Sequence, residues 1–367
     1  MMRVSVNLAG PADDAAIRLL MRRQPMPGRV TVTFEREPNF SLGCAVTGED
    51  CRILVARSED NEIVGVACAS VRNVFVNGRE QRLGYLGQLR VDERFRGRWL
   101  VSRGFSLLRQ LHHDTGVPAY LTAIVGGNDE ARAVLVEKRR KSFPEFHPVA
   151  DYCTLAIDLG RPRSAMPCAA TICSAAAGDL ADIARFLCSC GSKRQFFPVW
   201  DESTLHQLSA YGLTAQDLIV ARRGGQIVGI VGLWDQSAYK QTVIQAYSGW
   251  LRAVAPLWNS AASLLRRNSL PRPGEAVRSA YAALVCVAGN NTAVFASLLR
   301  EVYRRARSRG FSYLMLGLDA LDPFLSLARS YPHIPYTSRL YLAEWSDGGH
   351  LHERLEHFPA YVDIATL

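Results

Sequence analysis

The chain repeats itself, and the repeat narrows the available folds more than any other feature. Leu54-Val55-Ala56-Arg57 is followed by Ile63-Val64-Gly65-Val66, two apolar runs around polar Ser58 to Glu62, which read as a β-hairpin. Roughly 165 residues on, Ile219-Val220-Ala221-Arg222 is followed by Ile227-Val228-Gly229-Ile230, with Arg223-Gly224-Gly225-Gln226 at the turn. Ser106-Leu107-Leu108-Arg109 likewise returns as Ser297-Leu298-Leu299-Arg300, now about 190 residues apart. The longer offset implies about 26 extra residues between hairpin and helix in the second copy. They fit around Trp250, Trp258 and the Pro271-x-Pro273-Gly274 break.

Both halves run through the same elements. An opening strand and helical region (Ala16 to Arg22; Leu180 to Cys188) precedes the hairpin, and a longer strand follows (Leu83 to Val91; Ala280 to Ala288). Apolar residues then recur at helical spacing: Leu100, Gly104, Leu107, Leu108 and Leu111, and later Val294, Leu298, Val302 and Ala306. These helices meet Gly116 and Gly310, as helix C-termini favour. A further strand, a second helix and a final strand (Tyr152 to Asp158; Arg339 to Glu344) close each unit. The expected class is mixed α/β: two tandem units, each a central, mostly antiparallel twisted sheet flanked by helices. The expected boundaries are residues 1–160, a linker at 161–170 bearing Pro162 and Pro167, and residues 171–367.

With 367 residues, 48% of them hydrophobic, the chain can bury two cores, which excludes wholesale disorder. The net charge of +9 comes from 43 Lys and Arg against 34 Asp and Glu, and only four of those cations are Lys. Guanidinium grips phosphate in two places at once, so the excess points to an anionic partner. The arginines are spread along the chain rather than gathered among aromatics, which argues against nucleic acid. The first twenty residues lack the apolar core of a signal peptide, and no apolar run approaches the ~20 residues of a membrane span. Nine Cys without a CxxC pair read as reduced thiols, so a cytoplasmic protein without membrane contact is expected. His350, His352 and His357 cluster without metal-ligand spacing, and no metal is expected.

The sharpest local feature is Leu89-Arg90-Val91-Asp92-Glu93-Arg94-Phe95-Arg96-Gly97-Arg98-Trp99-Leu100, a strand running into a helix. A helix N-terminus offers unpaired N–H groups and partial positive charge, Gly97 lets an anion approach the backbone, and Arg94, Arg96 and Arg98 add three guanidinium groups. This segment resembles the acyl-coenzyme-A loop of the GNAT acyltransferase superfamily, Gln/Arg-x-x-Gly-x-Gly/Ala, with Trp99 where the family has a small residue. Asn128 to Leu135 is similar to the family's Asn-x-x-Ala segment beside the pantetheine arm, with Leu135 where a Tyr often stands. The resemblance implies that Asn128 bonds the cofactor, as an alternative to capping the helix, and that Ala131 lets it pass. The second half has Gly289-Asn290-Asn291-Thr292 at the corresponding place, without a cation, and resembles a GNAT unit that lacks the coenzyme site.

The resemblance implies an acyl-coenzyme-A-dependent N-acyltransferase using acetyl-CoA or another acyl-CoA, with no metal. An amine, either a small molecule or a peptide N-terminus, attacks the thioester directly. A backbone N–H between Leu89 and Val91 would hold the carbonyl. Gln88 stands where the family often has a carboxylate, and it cannot accept a proton. The other catalytic candidates are His147, Asp151, Tyr152, Glu80 and the carboxylate of Leu367, the last because some tandem relatives bring the chain end into the first unit. Trp200, Trp234, Trp250 and Trp258 are candidates for core packing or for a groove between the units. The replacements at 88, 99 and 135 leave a non-catalytic acyl-CoA sensor as the alternative, a nucleic-acid binder as the third reading, and an acidic acyl carrier protein as a conceivable donor.

Overall fold

A computed structural model describes residues 4–96, 98–137, 143–164, 169–262 and 268–367. The first half runs β1 (Val4–Leu8), α1 (Asp14–Arg23), β2 (Val30–Glu35), α2 (Phe40–Ala45), β3 (Glu49–Ser58), β4 (Ile63–Val76), β5 (Arg79–Val91), α3 (Arg98–Thr115), β6 (Tyr120–Val125), α4 (Asp129–Leu135) and β7 (Glu145–Asp158). The second runs β8 (Thr171–Ser174), α5 (Leu180–Gly191), α6 (Glu202–Gln207), β9 (Leu218–Arg223), β10 (Gln226–Trp234), β11 (Gln241–Tyr247), α7 (Trp250–Ala262), β12 (Ser279–Val287), α8 (Thr292–Ser308), β13 (Tyr313–Asp319), α9 (Leu325–Arg329) and β14 (His333–Glu344). The hairpins β3–β4 and β9–β10 pair as their sequences require, the second turning on Gly224 and Gly225 at positive φ. Helices α3 and α8 end before Gly116 and Gly310, whose φ values of +63° and +79° suit glycine.

Both halves share one twelve-stranded, mostly antiparallel sheet, ordered β1-β3-β4-β5-β6-β14-β7-β13-β12-β10-β9-β8 and flanked by helices. The closing strands do not stay in their own halves. β14 pairs with β6 of the first half, and β7 pairs with β13 of the second along Tyr152–Asp158. β7 and β14 also pair with each other along their whole lengths. The extra segment of the second half forms β11 and α7, and β11 pairs with β2 in a small separate sheet. The insertion therefore clasps one half to the other.

The core follows this arrangement. Leu155 and Ile157 of β7 are fully buried with Leu314, Leu316 and Leu318 of β13, in the cluster that also holds Trp200 and Trp234. Those two Trp are core, while Trp250 is 64% exposed on α7 and borders a shallow recess with Asp158 of β7 and Tyr313 of β13. The side chain of Trp258 lies outside the described residues. No described helix is long and apolar enough to cross a membrane.

Because β7 belongs to both halves, damage to it is expected to spread. Leu155→Ala is expected to lower stability by about 2–5 kcal/mol and to leave a single unfolding transition. Calorimetry showing two separated transitions would contradict the shared sheet.

Candidate functional site

Each half contains one pair of neighbouring parallel strands, and each pair separates early. β5 and β6 are paired only over Gly84–Leu86 and Tyr120–Thr122. β12 and β13 are paired only over Ser279–Tyr281 and Tyr313–Met315. Beyond these points the strands continue without each other, leaving a seam in each half. At the head of the first, a β-carbon on Gly84 would stand 2.1 Å from Cδ1 of Tyr120, so glycine is required there. Thr122 Oγ1 then donates to the Leu86 carbonyl at 2.9 Å, satisfying the last acceptor before the strands part.

A β-bulge sits at the mouth of each seam. In β5, Gln88 and Leu89 together face the single Ala67 between the Cys68–Gly87 and Val66–Arg90 pairs, and Gln88 has φ +56°. In β12, Leu284 and Val285 together face the single Val231 between Gly232–Ala283 and Ile230–Cys286, and Leu284 has φ +51°. Positive φ at these side-chain-bearing residues is strained, and bulges of this kind re-aim the backbone.

The second seam is filled by the chain's own final segment. Leu284 N–H donates to Asp363 Oδ2 at 2.7 Å, and Val285 N–H donates to the Tyr361 hydroxyl at 3.1 Å. Ala360 N–H donates to Asp319 Oδ2 at 3.1 Å, and Ala365 N–H to Asp363 Oδ1 at 3.1 Å. Tyr152 donates to the Val362 carbonyl at 2.7 Å, and the Val362 N–H returns to the same oxygen at 3.3 Å. A β-carbon on Gly317 would lie 2.4 Å from Ile364 Cγ2, so glycine lets the segment lie on β13. Burial pushes the Asp363 and Asp319 carboxyls above their ordinary range.

The first seam has no such filling. The repeat puts the Gln88 and Leu89 amides where Leu284 and Val285 stand, and no side chain among the described residues accepts from either. Leu89 and Val125 flank the opening and are each 38% exposed, whereas Val285 is 4% exposed. The loop beyond it carries charge held in place by neighbours. Arg94 donates to both Asp92 oxygens (3.0 and 2.9 Å) and to Glu62 (2.9 Å), which holds the Asp92 carboxyl below its usual range. Its guanidinium also lies over Phe95. Arg96 donates to Glu130 of α4 at 2.9 Å and Gln24 at 3.2 Å. These carboxylates are water-exposed apart from Asp92, so such pairs contribute little and exchange readily for another anion. Gly97 and the side chains of Arg98 and Trp99 lie outside the described residues, and Leu100 packs toward Gly65. Val91 ends β5 opposite Gly65. Asn128 caps α4, its Oδ1 accepting from Ala131 N–H at 3.1 Å, and Ala131 leans on the α3 core.

The catalytic candidates scatter. Tyr152 holds the final segment, and burial raises its phenol far above the ordinary value. His147 stacks on His352, centroids 3.4 Å apart, toward the end of the shared sheet away from the open seam. Glu80 lies in the turn at the other end of β5, and Asp151 pairs with Arg339 at 2.7 Å. Leu367 alone comes near: its main-chain oxygen accepts from Lys240 Nζ at 2.5 Å, and its side chain joins the cluster containing Tyr85 and Ala123. Two groups escaped sequence spacing because their members come from separate elements. Cys44, Cys51 and Cys68, and His147, Glu344 and His352, each bring ligand atoms within 4.8 Å of one another, donor sets that suit a soft metal ion and a zinc-like ion.

The fold is shared with solved N-acyltransferase structures. Residues 16–139 match the Acetyltransferase (GNAT) family. The structure is similar to Saccharomyces cerevisiae N-myristoyltransferase with bound myristoyl-CoA (TM-score 0.63, 9% identity, covering 93% of this chain and 79% of that one). It is also similar to a GCN5-related N-acetyltransferase from Sphaerobacter thermophilus (TM-score 0.55, 16% identity, covering 99% and 98%). No curated protein matches the sequence.

Asp363→Ala leaves the buried amides of Leu284 and Ala365 without their acceptor. It is expected to cost about 1–3 kcal/mol in urea titrations, and a variant as stable as the parent would remove the segment's structural role.

Proposed function

We propose that the protein is an acyl-coenzyme-A-dependent N-acyltransferase, acetyl being the expected acyl group, with its donor lying in the open seam between β5 and β6. The observation that carries this reading is the contrast between the seams. In the second half, oxygen acceptors of the final segment occupy the bulge amides. In the first, the equivalent Gln88 and Leu89 amides are left for a ligand's oxygen, which the thioester carbonyl supplies. Amides fixed by a strained bulge need no reorganisation as negative charge develops on that oxygen.

The remaining parts follow from the loop. The N-terminus of α3, with Arg94 and Arg96 beside it, receives the coenzyme's phosphates, and the sequence adds Gly97, Arg98 and Trp99 to the same loop. Leu89, Val91, Phe95 and Leu100 form the walls of the path, and Asn128 and Ala131 border the pantetheine arm. A neutral amine attacks the carbonyl carbon, the new C–N bond replaces the C–S bond, and the thiolate leaves. The proton that the amine nitrogen loses is taken up by the departing thiolate. The second half, lacking both loop cations and an open seam, serves as scaffold.

Isothermal titration is expected to give one coenzyme A per chain, and the double variant Arg94→Ala, Arg96→Ala is expected to bind about 10-fold more weakly or worse. No binding, or no effect of the variant, would overturn the donor site. Thiol release with acyl-CoAs from acetyl to myristoyl and a broad amine panel separates enzyme from sensor, since the sensor binds without turnover.

A further inference from the structure

Several buried or half-buried cations of this chain pair with a carboxylate: Arg57 with Asp13, Arg194 with Asp322, Arg222 with Asp179 and Arg305 with Glu301. Others, Arg72, Arg163 and Arg300 among them, bond uncharged oxygens or lie over aromatic rings. Beside the open seam three cations stand together without an Asp or Glu partner among the described residues. Arg36 is 3% exposed, and no Asp or Glu pairs with it among the described residues. Its Nη1 donates to the Glu35 carbonyl at 3.1 Å and its Nε has no partner. Arg90 donates only to the neighbouring Leu89 carbonyl at 2.8 Å and to Met26 Sδ at 3.7 Å. Lys240 donates to the main-chain oxygens of Ala365 and Leu367 and lies 4.8 Å from the Tyr281 ring centre. A buried charge without a counter-charge is costly, so such a group commonly marks a missing partner.

The three face one place. Residues opposite each other in an antiparallel pair share a face, and the pairs Val66–Arg90, Cys68–Gly87 and Ser70–Tyr85 put Arg90, Gly87 and Tyr85 together. Tyr85 belongs to the cluster of the chain end, while Leu86, one residue on, packs with the α3 core, so this face is turned away from α3. Arg36 lies over Gly43, next to Cys44, and its charge is felt by both Arg90 and Lys240. Ser70 Oγ, on the same face and 2% exposed as a residue, also has no partner. Arg90, Tyr85 and Lys240 keep part of their surface open to solvent, so the recess can be entered.

From this we infer that the acceptor amine carries an anionic group, a carboxylate or a phosphate, which Arg90 and Arg36 hold with Ser70 as a further donor and Lys240 adding positive charge. The inference rests on the acyltransfer reading for the word acceptor, while the anion recess itself stands on these side chains alone. An anion there places the amine of the same molecule near Gly87 and the bulge, on the open side of the seam.

The experiment uses matched pairs: amino acids against their amides, and O-phosphoethanolamine against ethanolamine. Each is titrated by calorimetry into the full chain, with and without coenzyme A, and each is assayed for thiol release. The expected result is that one charged arm binds, with its neutral partner about 10-fold weaker or worse, the arm identifying carboxylate or phosphate. Arg90→Gln is expected to raise KM or Kd for the charged acceptor about 10-fold while coenzyme A affinity holds, and Arg90→Lys to keep part of the preference. Circular dichroism checks that each variant folds, and Ser70→Ala is a milder variant with the same expected direction. Neutral and charged partners performing equally, or no anion binding in either arm at millimolar concentration, would overturn the inference. Failure of coenzyme A to bind while an acid still binds would overturn the acyltransfer reading and leave the recess standing.

Discussion

Backbone polar groups inside a sheet must find partners, and this fold creates two places where the sheet does not provide them. Each half brings two parallel strands together for three residues and then lets them diverge. Past that point every N–H and C=O along the seam needs an acceptor or donor from elsewhere. The bulges at Gln88 and Leu284 turn this into a directed requirement, because a residue at positive φ fixes where its neighbours' amides point. One seam meets the requirement from within the chain, by hydrogen bonds to Asp363 and Tyr361. The other remains free for a molecule that comes and goes.

The exchange of β7 and β14 keeps both seams in register with one another. β14 is the neighbour of β6 on the side away from the open seam, so the second half's last strand fixes the strand that forms one of its walls. From β14 the chain returns through the final segment, which threads the closed seam and arrives beside the open one. Arg72 of β4 donates to Thr366 Oγ1 at 2.9 Å, tying the end of that segment to the first half. Filling one seam is thus what carries the chain end to the other.

Much of this was legible in the sequence, for identifiable reasons. Hairpins and amphipathic helices are local patterns, so β3–β4, β9–β10, α3 and α8 appeared where periodicity and turn glycines put them. The Arg94 to Leu100 loop could be singled out for the proposal because phosphate binding at a helix start needs residues adjacent in the chain. Strand exchange was not, since β7 and β14 have the same alternation whichever half they complete. The catalytic candidates suffered for the same reason: Tyr152, His147 and Glu80 are near the loop in sequence and far from the seam in space. Arg36 and Arg90 carry no motif at all, and their nearness to one another beside the seam exists only in three dimensions.

The second half is then more than a worn copy of the first. It supplies Lys240 and Tyr281 to the recess, β11 to hold β2 and thereby Arg36, and the segment that ends at Leu367. A single unit with the same loop would have the phosphate-binding end of the site, but neither the third cation nor the wall facing β5. Under the proposed acyl transfer, the half whose seam is closed lends its surfaces to the acceptor side of the other half. The asymmetry between the halves, arginines and an open seam in one and a plugged seam in the other, is therefore a division of labour within one continuous sheet.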